Sequence, residues 1–199
     1  MDRLDEVLSF WFGSATDDAD VAAEKGSLWF GKSAATDRDI DVRFADLVRQ
    51  AADGSFESQL HSGHDRLALI ILLDQFTRNI YRGQPECFAS DPLALQLALE
   101  GLKVGDDQQL RPIERVFFYL PLEHAEDEAL QHRSVTLFAE LMDTVPQGWR
   151  KTFAGFHDYA VRHRDIIVRF GRFPHRNSIL GRSSTAEERE FLTQPGSSF

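Results

Sequence analysis

Three clusters of polar residues in this sequence combine types and spacings that suit chemistry on an anion. The first is Asp74, Gln75, Arg78, Asn79 and Arg82; the second is Glu123 with His124; the third is His163 with Arg172, His175, Arg176 and Asn177. Arginine forks bind carboxylate or phosphate through two parallel hydrogen bonds, so Arg78, Arg82, Arg172 and Arg176 are candidate anion clamps. A carboxylate beside an imidazole can exchange protons near neutral pH. Glu123, His124 and His175 are therefore candidate acid–base groups, with Asp74 and Asn177 to orient them and Asn79 and His163 completing the ligand-binding set. The window 162–182 points the same way. It holds six arginines against one acid, Asp165, a charge of +5 in a chain of net charge −10, which leaves −15 for the remainder. A basic island in an acidic chain marks an anion site without naming the anion.

Each cluster also has a structural reading. Asp74 and Arg78, four residues apart, suit a buried pair that holds helices in register. His163 lies on an apolar stripe, where a hydrogen-bonded core histidine is the commoner finding. Glu123 and His124 could cap the helix that follows, whose acidic start suits its dipole. Asp158 with Arg162, and Asp165 with Arg169, have the spacing of surface pairs worth a few tenths of a kcal/mol.

The elements that must position these residues read as helices. Leucine (22) outnumbers valine plus isoleucine (18), and no stretch sustains period-two alternation. Trp149, Phe153, Phe156, Ala160, His163, Ile167 and Phe170 recur at steps of four and three, one buried stripe that Gly171 ends. A first helix spans Asp2 to Phe12, a second segment Val21 to Phe30, and a third helix Asp37 to Ala52. Asp65 to Tyr81 begins apolar all round and ends polar on one face, through Asp74, Arg78 and Arg82. Asp91-Pro92 predicts a capped start for a helix through Val104. Pro112 opens another, Ile113 to Leu120, and Pro121 predicts a turn that presents Glu123 and His124. A helix over Ala129 to Met142 follows, and Thr185 with Glu188 forms a capping box for a last short one. The fold class is all-α: one domain of roughly eight or nine helices.

Two motif matches fail on context. Gly26 to Ser33 fits the phosphate-binding loop pattern letter for letter, yet no strand precedes it and three bulky residues fill the wrap. His163-Arg164-Asp165 copies a kinase triplet without its asparagine or glycine-rich loop. No metal-ligand spacing occurs, and no cofactor is expected.

Length and composition set outer limits. The 199 residues, 42% hydrophobic and 27% charged, can build a sizeable core without staples. The acidic balance argues against nucleic acid and anionic membranes as partners. One cysteine, Cys87, offers no internal disulfide, MDRLDEV carries no apolar signal segment, and the apolar run Leu67 to Leu73 is too short to span a bilayer. The expected setting is cytoplasmic.

Four stretches, LALIILLDQFTRNIYRG (67–83), FASDPLAL (from 88), FFYLPLEHAED (117–127) and HRDIIVRFGRFPHRNSILGRSSTAEE (163–188), resemble, in order and nearly end to end, the bacterial family of domain of unknown function 924. The resemblance implies a tetratricopeptide-like array of helix pairs and no settled activity. The sequence departs from the family at Thr77, where proline is common, and at Ala125, where serine is common. Thr77 predicts a less interrupted helix, and Ala125 removes a hydroxyl beside His124.

Two functions follow as expectations. One is a site for a small anionic molecule, a phosphate ester or carboxylate, with hydrolysis or transfer within its reach. The other is an interaction module whose basic patch docks an acidic peptide in a groove. Neither expectation specifies an oligomeric state.

Overall fold

The structure, a computed structural model, describes residues 3–56, 58 and 60–198. Among the described residues there is no strand. The helices are α1 (Arg3–Phe12), α2 (Asp18–Phe30), α3 (Ala34–Ala52), α4 (Gly63–Ile70), α5 (Thr77–Ile80), α6 (Asp91–Val104), α7 (Pro112–Glu123), α8 (Glu128–Thr144), α9 (Arg150–Phe170) and α10 (Ala186–Phe191). A π-helical turn, Ile71–Phe76, joins α4 to α5 into one rod, and Pro174–Arg176 forms a 3-10 turn after α9. The predicted start of α1 at Asp2 lies outside the described residues.

The first half of the fold surrounds the rod. Every residue from Leu67 to Thr77 is buried, in keeping with an apolar run from Leu67 to Leu73, and the polar Asp74, Gln75 and Thr77 are buried with it. It packs against α1, α3, α6 and α7. Trp11, Trp29, Phe44, Phe76 and Phe117 meet between these helices largely edge to face, with centroid distances such as 5.4 Å for Trp11–Phe76 and 4.7 Å for Trp29–Phe117. The second half is successive: α6 packs on α7, α7 on α8, and α8 along α9. Ile166, Ile167 and Phe173, with Phe170 and Phe191 against them, form a separate small cluster that fastens the C-terminal segment to the end of α9.

Local signals account for most boundaries. Asp17 caps α2 by accepting from the backbone of Ala19 and Asp20, and Ser33 caps α3, so both helices begin three residues earlier than expected. Gly171 ends α9 at φ 67°, a left-handed conformation that a Cβ disfavours. The Thr185–Glu188 capping box is present.

Two expectations are corrected. Pro121 does not turn the chain: α7 runs through it to Glu123, since proline costs a helix one N–H and the following turn closes again with His124 N–H donating to Leu120 O at 2.9 Å. Asp91 does not cap α6; the cap position is Ser90, and the Asp91 carboxylate is drawn to arginines instead. At Thr77 the helix continues into α5. The widened turn lies directly before it, and the Thr77 hydroxyl donates to Leu73 O at 2.8 Å.

Of the two surface pairs, Asp158–Arg162 forms at 2.6 Å. Asp165 instead meets Arg164, and Arg169 reaches Glu187 at 2.9 Å. The phosphate-loop look-alike is mostly helix, with Gly26 to Phe30 inside α2. Among the described residues no helix is long and apolar enough to cross a membrane.

Candidate functional site

Asp74 sits in the π-helical turn with no surface exposed. Its Oδ1 accepts from His124 Nδ1 at 2.8 Å and lies 3.2 Å from Arg78 Nη1, while Oδ2 accepts from Gln75 Nε2 at 2.5 Å. The widened turn lets one residue stand out of the regular ladder, and its carbonyl, Asp74 O, accepts from Arg78 Nη1. Burial opposes a charge on Asp74, but Arg78 and His124 outweigh it and hold its carboxyl well below the usual range. His124, at the C-terminal cap of α7, is brought to Asp74 by the α7–rod contact. Burial lowers the His124 pKa and outweighs the neighbouring Asp74 charge.

Arg78 turns its other face to Asp91. Nη1 and Nη2 donate to the two carboxylate oxygens at 2.8 and 3.0 Å, a planar two-point pair. Arg176 comes to the same carboxylate from the 3-10 turn after α9, with Nη1 3.5 Å from Asp91 Oδ2. The Arg176 guanidinium lies between the rings of Phe88 and Phe173, at 4.6 and 4.5 Å from their centroids. It is 7% exposed, and its Nε, sealed from solvent, has no hydrogen-bond partner among the described residues. Burial and the nearby Arg78 charge lower its pKa.

A second carboxylate–histidine contact lies beside the first. Glu123 Oε1 is 3.0 Å from His163 Nδ1, which also reaches Tyr159 O at 2.9 Å. The distance is that of an ion pair, but burial disfavours both charges. It pushes Glu123 up to about 8, with the Asp74 charge adding to the effect, and lowers His163 well below its ordinary value. At neutral pH the contact thus brings together two groups whose charged forms are both disfavoured. The His124 and His163 rings are 6.1 Å apart. His163 stacks edge-on to Phe173 at 5.5 Å, and Phe173 meets His175 at 5.6 Å. Burial pulls His175 down to about 4.

Asp74, Gln75, Arg78 and His124 therefore form one bonded group that Asp91 links to Arg176, and Glu123 with His163 adjoins it beside the His124 ring, with His175 against Phe173. The other predicted ligand residues serve elsewhere. Arg82 forks onto Asp37 at 2.7 and 2.8 Å, and Asn79 donates to the same carboxylate at 2.9 Å, tying α5 to the first turn of α3. Arg172 forks onto Glu188 at 2.6 and 2.8 Å, and Asn177 donates to Ser184 Oγ at 3.1 Å, tying the post-α9 loop to α10. His163 answers the description of a hydrogen-bonded core histidine, while Glu123 and His124 do not cap α8, whose cap is Asp127.

Residues missed in the sequence are Asp91, Phe88, Phe173 and Glu126. Glu126 accepts from Phe173 N–H at 2.8 Å and from both Nη groups of Arg182, at 2.6 and 2.9 Å, which fixes the loop carrying Arg176. An Asp-Pro pair signals a cap so strongly that it hid the role of Asp91. Phe88, three residues before it, carried no signal of its own. Two surface cavities lie away from this site. One, of about 500 Å³, is bordered by Phe10, Lys25, Leu28 and Arg43; the other, of about 340 Å³, by Phe56, Leu69 and Leu97. Among the described residues no group of three or more ligating side chains is placed to hold a metal ion.

The sequence pattern of the family described as "Bacterial protein of unknown function (DUF924)" matches residues 7–196. The chain is also similar to a solved structure, a protein of unknown function, ATU0120, from Agrobacterium tumefaciens. The two share 41% identity with a TM-score of 0.74, over 88% of this chain and 98% of that one. No curated protein matches significantly.

Proposed function

Because the chain belongs to the DUF924 family of bacterial proteins of unknown function, a membership that brings no activity with it, we propose a function from the site itself: the protein binds a small anionic molecule at Arg176 and Arg78. The observation that carries this reading is the Arg176 guanidinium. It is more than nine-tenths buried and, among the described residues, its Nε has no partner and its one hydrogen bond, at 3.5 Å, goes to a carboxylate that Arg78 already holds at two points. A buried cation left so weakly compensated is costly, and an anionic ligand would complete its hydrogen bonds. A phosphate ester or a carboxylate fits the fork. His124, Glu123 and His175 are the groups on which hydrolysis or transfer would draw.

Thermal melting against a panel of phosphorylated and carboxylated metabolites tests this, since a ligand that binds only the folded chain raises Tm. The expected result is a shift of several degrees for one class, lost in Arg176→Met, which keeps an apolar stem between Phe88 and Phe173. Flat curves from a cooperatively melting protein would overturn it.

A second reading follows the family resemblance: a tetratricopeptide-like array that docks an acidic peptide. The consecutive packing of α6, α7, α8 and α9 favours it. Binding of a fluorescent oligoglutamate that persists in Arg176→Met would support this reading over the first. A cytoplasmic setting suits both, since Cys87 is a buried free thiol.

A further inference from the structure

We infer a second binding site, apart from Arg176 and Arg78, in the larger surface cavity, which takes a small zwitterion: a carboxylate and an ammonium carried on one apolar body. The cavity holds about 500 Å³, within the range of small-molecule pockets, and is bordered by residues of α1, α2 and α3. Phe10 and Leu28, partly buried against the main core, give it an apolar surface. Charges of both signs border the same space.

Lys25 is the cation left without an acceptor. Its side chain is only 20% exposed, and its one acidic neighbour among the described residues, Glu24, lies at 3.9 Å, beyond hydrogen-bond distance. A close approach fixes its stem. A Cβ on Gly13 would come 2.7 Å from Lys25 Cε, so the glycine leaves the lysine its place. An ammonium held this far out of water is costly without an acceptor, and a ligand carboxylate would supply one.

The acids of the cavity are unevenly matched. Arg43 lies over the Phe10 ring at 4.6 Å and donates from Nη2 to Glu6 Oε1 at 3.2 Å. Asp39 receives only the 3.8 Å approach of Arg43 Nη1 and makes no hydrogen bond to any described side chain. Three carboxylates, Glu6, Glu24 and Asp39, thus border the space with two cations, Lys25 and Arg43. A plain anion meets more acid than base there, and a plain amine leaves Lys25 unanswered. A zwitterion answers both, with its carboxylate on Lys25, its ammonium on Asp39 and its apolar part on Phe10 and Leu28. Apolar α-amino acids and ω-amino acids share this chemistry and differ in the span between their charges.

Calorimetric titration of the full chain with phenylalanine and with the ω-amino acid aminohexanoate tests the inference, one short and one long in charge separation. At least one is expected to bind, and about 10-fold tighter than analogues lacking one charge: phenylpropionate and phenethylamine for the first, hexanoate and hexylamine for the second. Lys25→Met, which keeps an unbranched stem beside Gly13, and Asp39→Asn should each weaken that binding about 10-fold. Binding of neither zwitterion would overturn the inference. An analogue that binds as tightly as its zwitterion would overturn it too, as would affinity unchanged in either folded variant.

Discussion

The Asp74 carboxylate and the His124 imidazole, 50 residues apart in sequence, meet at 2.8 Å where the π-helical turn faces the end of α7. All three partners of this carboxylate present donors, and an amide nitrogen in place of either oxygen would oppose at least one of them. Asp74→Asn is therefore expected to lower stability by about 3 kcal/mol, the scale seen when one member of a buried charge pair is lost. A urea titration checks this. The midpoint should fall with the slope unchanged, because the folded state keeps its compactness.

Glu123 supplies a pH dependence of opposite sign to that of most carboxylates. Its folded value is raised from an ordinary 4.5 to about 8 by burial, so the folded chain holds a proton that the unfolded chain releases between these values. The stabilising contribution is complete below about 4.5 and is lost as pH rises through about 8. Glu123→Gln, which mimics the protonated acid, should match wild type at pH near 4.5 and exceed it increasingly up to about 8. Melting curves of both proteins across this range would reject the idea if their difference stayed constant.

Glu126 fixes the loop that carries Arg176, through Phe173 N–H and the Arg182 fork. Glu126→Ala is expected to cost about 2 kcal/mol, as charge-assisted bonds to a partly buried acid do. It should also weaken anion binding on the order of 10-fold by misplacing Arg176 without touching it. A loss of stability with unchanged affinity would show that the loop holds its place without this acid.

Gly26 tests the rejected phosphate loop. It lies inside α2 and a Cβ there would meet nothing within 4 Å. Gly26→Ala should raise stability by roughly 0.5–1 kcal/mol, whereas a glycine that must approach a phosphate would not accept the change. Gly63→Ala is the contrasting case. Its Cβ would meet the Asp106 carbonyl oxygen, a backbone atom, and the substitution should cost about 1–3 kcal/mol. Paired denaturation curves decide the signs.

The helices, and the polar ends of the apolar ones, are legible in the sequence because they rest on local rules. A stripe at steps of three and four, a capping side chain and a glycine free to take φ 67° act within a few residues. The Asp74–Arg78 pair belongs with them, since four residues bring two side chains onto one helical face. Partner choice among distant charges is a different matter. Four arginines looked alike, and only the packed chain gave Arg82 to Asp37, Arg172 to Glu188, and left Arg176 between two aromatic rings with one long bond to Asp91. Asp91 itself was hidden by the strongest local signal it could carry. Coulomb attraction and desolvation depend on distance and burial, which sequence spacing does not encode beyond a helical turn. That is why the same carboxylate and imidazole types yield an acidity raised at Asp74 and lowered at Glu123, and an imidazole at His124 that resists protonation, only once the helices have packed.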